Sequence, residues 1–276
     1  MYNALATIDE KAVAHSRYAT YSYETDRYNR ARLGFYFSII QEAAGVHAAI
    51  RGLSITDMRE EGKTWVITRN ITTVHRYARW GEVVSVKTWA AAPIRLHLPR
   101  IIEGYDKEGE LLFRTTTLWA ILDIETGRPQ RPQDYSSRMT LPDPGDADHP
   151  TTLTLPKPIH KEEDLVLVDR TAVVPTYDDT DRNLHVNNLS YLNWALGALP
   201  SRFRDQYNTC LIDVSFLRQT FLGDELAVCT WAHGEEVFEA KEPALFHQII
   251  RTEGDGGETV VWEGSSHWKL REAFRP

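Results

Sequence analysis

The chain has 276 residues, 42% apolar and 25% charged, with a net charge of −8, the composition of a globular protein able to bury one sizeable core or two smaller ones. The whole negative excess lies in residues 151–276, where 20 acidic side chains face 12 basic ones, so nucleic acid is excluded as a partner. No apolar run approaches the roughly 18 residues of a membrane span, the polar opening Met1 to Ala14 lacks a secretory pattern, and Cys210 and Cys229, without C-x-x-C spacing, read as free thiols of a reducing cytoplasm.

In chain order, Arg17 to Glu24 reads as a short strand, and Leu33 to Ile50 as a helix with a wide apolar face that Gly52 closes. Trp65 to His75, Val83 to Ala91, Leu96 to Tyr105 and Leu111 to Asp123 follow as runs rich in Thr, Val, Ile and aromatics, with Lys107-Glu108-Gly109 as a hairpin turn. Seven of the thirteen prolines then fall between Pro129 and Pro158, a linker composition. Beyond it the pattern recurs: a strand from Asp169 to Tyr177, a helix from Asn188 to Leu199, and strands near Thr209 to Arg218, Glu225 to His233, Leu245 to Arg251 and Thr259 to Leu270.

The recurrence is visible in the letters themselves. Thr25-Asp26-Arg27 returns as Thr180-Asp181-Arg182, and Gly81-Glu82-Val83-Val84-Ser85-Val86-Lys87-Thr88-Trp89 is echoed by Gly223-Asp224-Glu225-Leu226-Ala227-Val228-Cys229-Thr230-Trp231. One helix followed by a run of consecutive strands argues for a helix wrapped by an antiparallel sheet, an α+β arrangement made twice. The expected organisation is a first unit at 1–135, a Pro-rich linker at 136–165 and a second unit at 166–276.

Chemistry concentrates at the start of the second helix. Read as an extended run, Asp181, Asn183 and His185 fall two apart and leave one face of the backbone. Asn187-Asn188 then opens a helix whose N–H groups and positive dipole end point back towards them. Each residue alone is explained by capping and turn preferences; their order makes a site. The stretch Asp181, Asn183, His185, Val186, Asn187, Asn188, followed by Tyr191 and Trp194, resembles the D-x-N-x-H-V-N-N signature of the acyl-acyl carrier protein thioesterases, the plant-type fatty acyl-ACP hydrolases and their bacterial relatives. The first unit resembles the same family through Gln41-Glu42-Ala43-Ala44, Trp65-Val66-Ile67-Thr68-Arg69, Trp80-Gly81-Glu82-Val83-Val84 and Thr115-Thr116-Thr117-Leu118-Trp119.

The resemblance implies a tandem double hotdog, two helix-wrapped antiparallel sheets forming one continuous sheet. It also implies hydrolysis of fatty acyl-ACP to free fatty acid and holo-ACP in fatty acid biosynthesis, with Asp181, Asn183 and His185 catalytic. The first unit has Asp26-Arg27-Tyr28-Asn29-Arg30 where the second has its polar triplet, which assigns it acyl-chain binding and carrier contact. An acidic carrier would dock on a basic patch among Arg69, Arg76, Arg79, Arg95 and Arg100. One position departs from the family: Gln219 stands where a Glu is usual, and a carboxamide holds water or a carbonyl but accepts no full proton.

In hydrolysis negative charge builds on the thioester oxygen, and helix N–H groups with the carboxamides of Asn183 or Asn187 are fitting donors. His185 is the natural proton acceptor near neutral pH, with Asp181 as orienting group, water holder or base; Gln219 is expected to position water or substrate. Cys210 has no charge partner in sequence that would make it a nucleophile. No metal spacing, Walker loop, G-x-S-x-G elbow or dinucleotide fingerprint is present, so neither metal nor cofactor is called for. Acyl-coenzyme A hydrolysis, enoyl hydration and non-catalytic acyl-thioester binding are the alternatives for the same corner. Two fused units either suffice alone or pair again as a homodimer.

Overall fold

The computed structural model describes residues 5–271; the outermost ends of the two expected units, 1–4 and 272–276, lie outside them. The chain divides into two compact units, the first ending at Pro156 and the second beginning at Lys157. Each is a helix wrapped by an antiparallel sheet, as the repeat predicts, in the α+β double-hotdog class that the resemblance implies. No described helix is long and apolar enough to cross a membrane.

In the first unit, strands β1 (Thr7–Ile8), β2 (Ala14–Ala19), β3 (Lys63–Val74), β4 (Val83–Ala90), β5 (Leu98–Tyr105) and β6 (Leu111–Asp123) lie in the order β1-β2-β4-β5-β6-β3. Helix α1 (Leu33–Ile50) crosses this sheet and buries residues on almost every side, among them Phe35, Tyr36, Ile39, Ile40, Ala43, Val46 and His47. Only a stripe through Gln41, Glu42 and Gly45 stays exposed; so wide an apolar face has to be covered, and each large apolar side chain so removed from water contributes about 1.5–3 kcal/mol. Gly52, at φ 67°, ends it in the left-handed conformation that glycine adopts without a steric penalty. A short helix, α2 (Ile55–Glu60), follows, opened by a reciprocal cap between Ser54 and Asp57.

The second unit has strands β7 (Val166–Val173), β8 (Tyr207–Phe216), β9 (Leu226–Ala232), β10 (Ala244–Thr252) and β11 (Glu258–Leu270) in the order β8-β11-β10-β9-β7. Its central helix, α4 (Asn188–Gly197), is shorter than α1 and hands over at Pro200 to α5 (Ser201–Gln206). Under it lies a buried polar chain. Trp268 Nε1 donates to Ser266 Oγ, which lies 2.8 Å from His247 Nε2, and His247 Nδ1 lies 3.3 Å from Thr230 Oγ1. Burial pushes the pKa of His247 down to about 4.

Three expectations need adjusting. Arg17 to Glu24 is not one strand: β2 stops at Ala19 and Ser22–Glu24 forms a 3-10 turn, because Tyr21 and Tyr23 stack on each other in solvent, ring centroids 5.4 Å apart, instead of alternating across a sheet. The matching strand of the second unit likewise ends early, at Val173, ahead of a 3-10 turn at Tyr177–Asp179 that Thr176 and Asp179 cap reciprocally. Of residues 136–165, expected as a linker, 136–156 fall within the first unit, where Met139, Pro142, His149 and Thr151 are buried, and 157–165 within the second. Helix α3 (Gln133–Met139) puts Tyr135 and Met139 into a core with Leu53, Met58 and Ile121. The Pro150, Thr151 and Pro156 carbonyls accept from Trp89 Nε1, the Ala92 N–H and Arg69 Nη1. Proline loses its donor, yet its carbonyl still accepts.

Candidate active site

The corner that carries the sequence motif is a closed turn, not an extended run. The Asp181 N–H donates to the His185 carbonyl at 2.8 Å and the Leu184 N–H to the Asp181 carbonyl at 2.9 Å. Asp181 Oδ1 accepts the Asn183 N–H at 2.7 Å, an aspartate bonding its own backbone two residues on. Leu184 completes the turn at φ 62° and is 78% exposed, a left-handed conformation that costs a branched residue about 1–2 kcal/mol. The alternation argument for a shared face therefore fails. The turn still brings two of the side chains together, Asn183 Nδ2 lying 3.4 Å from Asp181 Oδ2, while His185 gives its carbonyl to the turn and sets its ring against Phe221.

Asn187 caps that start. Its Oδ1 accepts the Leu189 N–H at 2.9 Å, and its carbonyl accepts the Ser190 N–H at 2.9 Å. Two of the first helix N–H groups are thus already engaged, and what Asn187 offers a ligand is its amide NH2.

The loop between β8 and β9 closes the corner from the other side. The Val186 N–H donates to the Thr220 carbonyl at 2.9 Å, Tyr191 Oη on α4 lies 2.6 Å from Thr220 Oγ1, and the Phe221 ring stands edge-on to His185 with centroids 5.2 Å apart. Gln219 is one residue from this clamp. Its side chain is exposed, and its carbonyl accepts from Arg251 Nη1 at 3.0 Å. Sequence reasoning missed the clamp, although the internal repeat held its trace: Tyr36 on α1 accepts the Ala78 N–H at 2.8 Å and donates to the Arg76 carbonyl at 2.9 Å.

The first unit builds the same turn from other side chains. The Asp26 N–H donates to the Arg30 carbonyl at 2.7 Å, Asp26 Oδ1 accepts the Tyr28 N–H at 2.9 Å and the Arg30 N–H at 3.1 Å, and Asn29 takes φ 61°. Tyr28 and Arg30 stand where Asn183 and His185 stand in the second unit.

Other candidates separate cleanly. Arg69 and Arg100 are each only 4% exposed, which removes them from any surface patch; Arg76 is paired with Glu82 and Asp106, while Arg79 and Arg95 are exposed. Cys210 Sγ donates to the His267 carbonyl at 3.4 Å and burial pushes its thiol pKa up, the opposite of what a nucleophile needs. Away from the corner, Glu162, Asp164 and His233 bring ligand-type atoms within 4.8 Å of one another; all three are exposed surface groups.

The acyl-ACP thioesterase N-terminal domain model matches residues 11–137, and the C-terminal domain model matches residues 166–269. A palmitoyl-acyl carrier protein thioesterase of Cuphea hookeriana is 26% identical over 95% of this chain, and an oleoyl-acyl carrier protein thioesterase of Arabidopsis thaliana is 24% identical over 97%. The chain spans 63% of the length of the former and 79% of the latter. Among solved structures, the 12:0-ACP thioesterase of Umbellularia californica matches with a TM-score of 0.78 at 21% identity, covering 96% of this chain and all of its own. A putative oleoyl thioesterase of Lactobacillus plantarum also gives 0.78 at 21%, covering 98% of this chain and 99% of its own.

Proposed function

Since the chain belongs to the acyl-ACP thioesterase family, we propose that it hydrolyses fatty acyl-ACP to free fatty acid and holo-ACP at the corner of Asp181, Asn183 and His185. The observation that supports this reading is the closed turn itself, in which the Asp181 carboxylate holds Asn183 and His185 follows just ahead of the start of α4, with the Thr220 loop clamped against it. In the proposed reaction His185 takes a proton from water as the oxygen attacks the thioester carbonyl carbon. The carbon–sulfur bond then breaks, and the proton passes to the departing thiolate. Asp181 holds Asn183 in place, while the NH2 groups of Asn183 and Asn187 and the opening of α4 face the developing oxyanion. Gln219, beside the clamp, positions water or substrate without taking a proton.

The first unit, with Arg30 in place of the imidazole, is assigned acyl-chain binding and carrier contact. The proposed partner is an acyl carrier protein, in the cytoplasmic setting that two unpaired cysteines suggest; sizing chromatography distinguishes a single chain from a homodimer. The test is release of free thiol from acyl-ACP, followed with a thiol reagent. His185→Ala should lower turnover about 10²–10⁴-fold. Release from acyl-coenzyme A alone reassigns the carrier, consumption of an enoyl thioester without thiol release makes the protein a hydratase, and binding without turnover makes it a carrier of acyl thioesters.

A further inference from the structure

The loop joining β8 to β9 has to travel. In the order β8-β11-β10-β9, residues 217–225 pass the ends of two intervening strands, a span of roughly 14 Å at the usual strand spacing. A connection of that reach keeps one shape only where it is tied down. Each strand it passes supplies a tie. The Val261 carbonyl on β11 accepts the Leu217 and Arg218 N–H groups at 2.9 and 3.0 Å, and on β10 the Thr252 N–H donates to the Glu225 carbonyl at 2.9 Å. Between these ends a side chain of β10 takes over: Arg251 Nη1 donates to the Gln219 carbonyl at 3.0 Å and lies 3.6 Å from Asp224 Oδ2. From the other side, Glu253 Oε1 accepts from Arg251 Nε and Nη2 at 3.1 and 3.0 Å, which fixes the plane of the guanidinium fork.

The segment so held is the one that meets the candidate corner. Thr220 engages Val186 and Tyr191, and the Phe221 ring stands edge-on to His185. Asp224 is bound to Phe221 as well. Its Oδ2 accepts the Phe221 N–H at 3.0 Å and its own N–H donates to the Phe221 carbonyl at 3.2 Å, in a tight turn that Gly223 completes at φ 86°. Arg251 therefore grips the loop on both sides of Phe221, at Gln219 before it and at Asp224 after it. The first unit builds the same turn, with Gly81 at φ 84°, the Glu82 N–H donating to the Arg79 carbonyl at 3.0 Å, and Glu82 held by Arg76 at 2.8 Å. There the arginine belongs to the connection itself; in the second unit it reaches in from a strand and fastens the loop to the sheet.

We propose that Arg251 is a positioning residue for the hydrolytic corner: it locks Gln219 to Asp224 in place, so that Phe221 sets the His185 ring and Gln219 keeps its station beside the clamp. This rests on His185 being the proton acceptor of the reaction. Arg251 acts through the loop, and a displacement of about 1 Å at a reacting group is enough to cost about 10²-fold in rate.

The experiment measures thiol release from acyl-ACP together with the His185 ring signals in NMR, which the neighbouring Phe221 ring displaces. Arg251→Ala should lower kcat about 10- to 100-fold and leave KM within about twofold, at a temperature where melting shows the variant folded. Arg251→Lys, which keeps the charge and a donor, should recover part of kcat. Asp224→Asn should lower kcat in the same sense, and its loss combined with Arg251→Ala should be smaller than the product of the two single losses, since both loosen one fastening. At fixed pH, Arg251→Ala should move the His185 signals in the direction that Phe221→Leu moves them. Unmoved signals, or a wild-type kcat in Arg251→Ala, overturn the proposal and leave the hydrolase reading intact; so does a loss carried by KM alone. Thiol release by the wild type from neither acyl-ACP nor acyl-coenzyme A defeats the hydrolase reading instead. Displaced His185 signals then still support Arg251 as the holder of that ring, and unmoved ones overturn it.

Discussion

Asp181 has two separable jobs, and two substitutions divide them. Its Oδ1 accepts the Asn183 N–H at 2.7 Å and its Oδ2 faces Asn183 Nδ2 at 3.4 Å, so it closes the turn and supplies the carboxylate charge of the proposed site. Asp181→Ala removes both. A hydrogen bond to a charged acceptor contributes about 1.5–3 kcal/mol, and the half-buried turn places this one near the lower figure, so melting should fall by about 3–5 °C for a chain of this size. Asp181→Asn keeps an acceptor oxygen for the Asn183 N–H and loses only the charge; its melting temperature should stay within about 1 °C by the same conversion, while turnover falls about 10²–10⁴-fold. The first unit supplies the control, because Asp26 closes an equivalent turn through Tyr28 and Arg30, and the turn Asp26-Arg27-Tyr28-Asn29-Arg30 has no histidine in its sequence. Asp26→Ala should match the thermal loss of Asp181→Ala and change turnover by less than about threefold, far below the effect of removing a catalytic group. Thiol release from acyl-ACP and thermal melting read both quantities on one sample. An Asp181→Asn protein that keeps most of its rate would refute the charge argument, and equal rate losses in Asp26→Ala and Asp181→Ala would refute the division of labour between the corners.

Acid should unfold the protein partly through His247. Its pKa is near 4 folded and near 6.5 unfolded, so the unfolded state binds more protons below pH 6.5. Stability is whole above that value and is lost as pH falls towards 4, by about 1.4 kcal/mol per pH unit and about 3 kcal/mol in total; urea titrations at pH 7 and pH 4.5 should show a smaller difference in His247→Gln than in the wild type. Gly264→Ala should destabilise the second unit by about 1–3 kcal/mol or more, since an added Cβ would meet the Asp213 carbonyl and Val214 Cα, the latter at 2.6 Å, on the paired strand; an unchanged urea midpoint would contradict that close approach. Tyr191→Phe should cost about 1–3 kcal/mol by leaving the buried Thr220 hydroxyl unpaired, a loss that Tyr191→Phe combined with Thr220→Val should partly recover.

The sequence was most informative where one physical rule acted alone. Leu33–Ile50 and Leu111–Asp123 are bounded as periodicity places them, because a long apolar pattern and a Gly stop leave little competition. The repeat carried the architecture, since Asp26 and Asp181 open matching turns 155 residues apart. The motif corner was legible in composition and illegible in shape. D-x-N-x-H mimics the two-residue period of a strand, but Asp side chains favour bonding to their own backbone, and only the folded loop reveals that Leu184 bears the left-handed turn. The Pro-rich stretch misled for a related reason: composition reports donors lost, not the carbonyls of Pro150 and Pro156 that Trp89 and Arg69 use. The Tyr191 to Thr220 clamp spans 29 residues, and no local rule reaches that far.

Because Asp26 and Asp181 close equivalent loops with Asn29 and Leu184 in the same left-handed pose, the backbone does not decide which half of the molecule reacts. In the proposed reading that difference is written in a handful of side chains, Tyr28 against Asn183 and Arg30 against His185. A duplicated scaffold of this kind can specialise its halves by exchanging single letters, with no change to the turn that both copies keep.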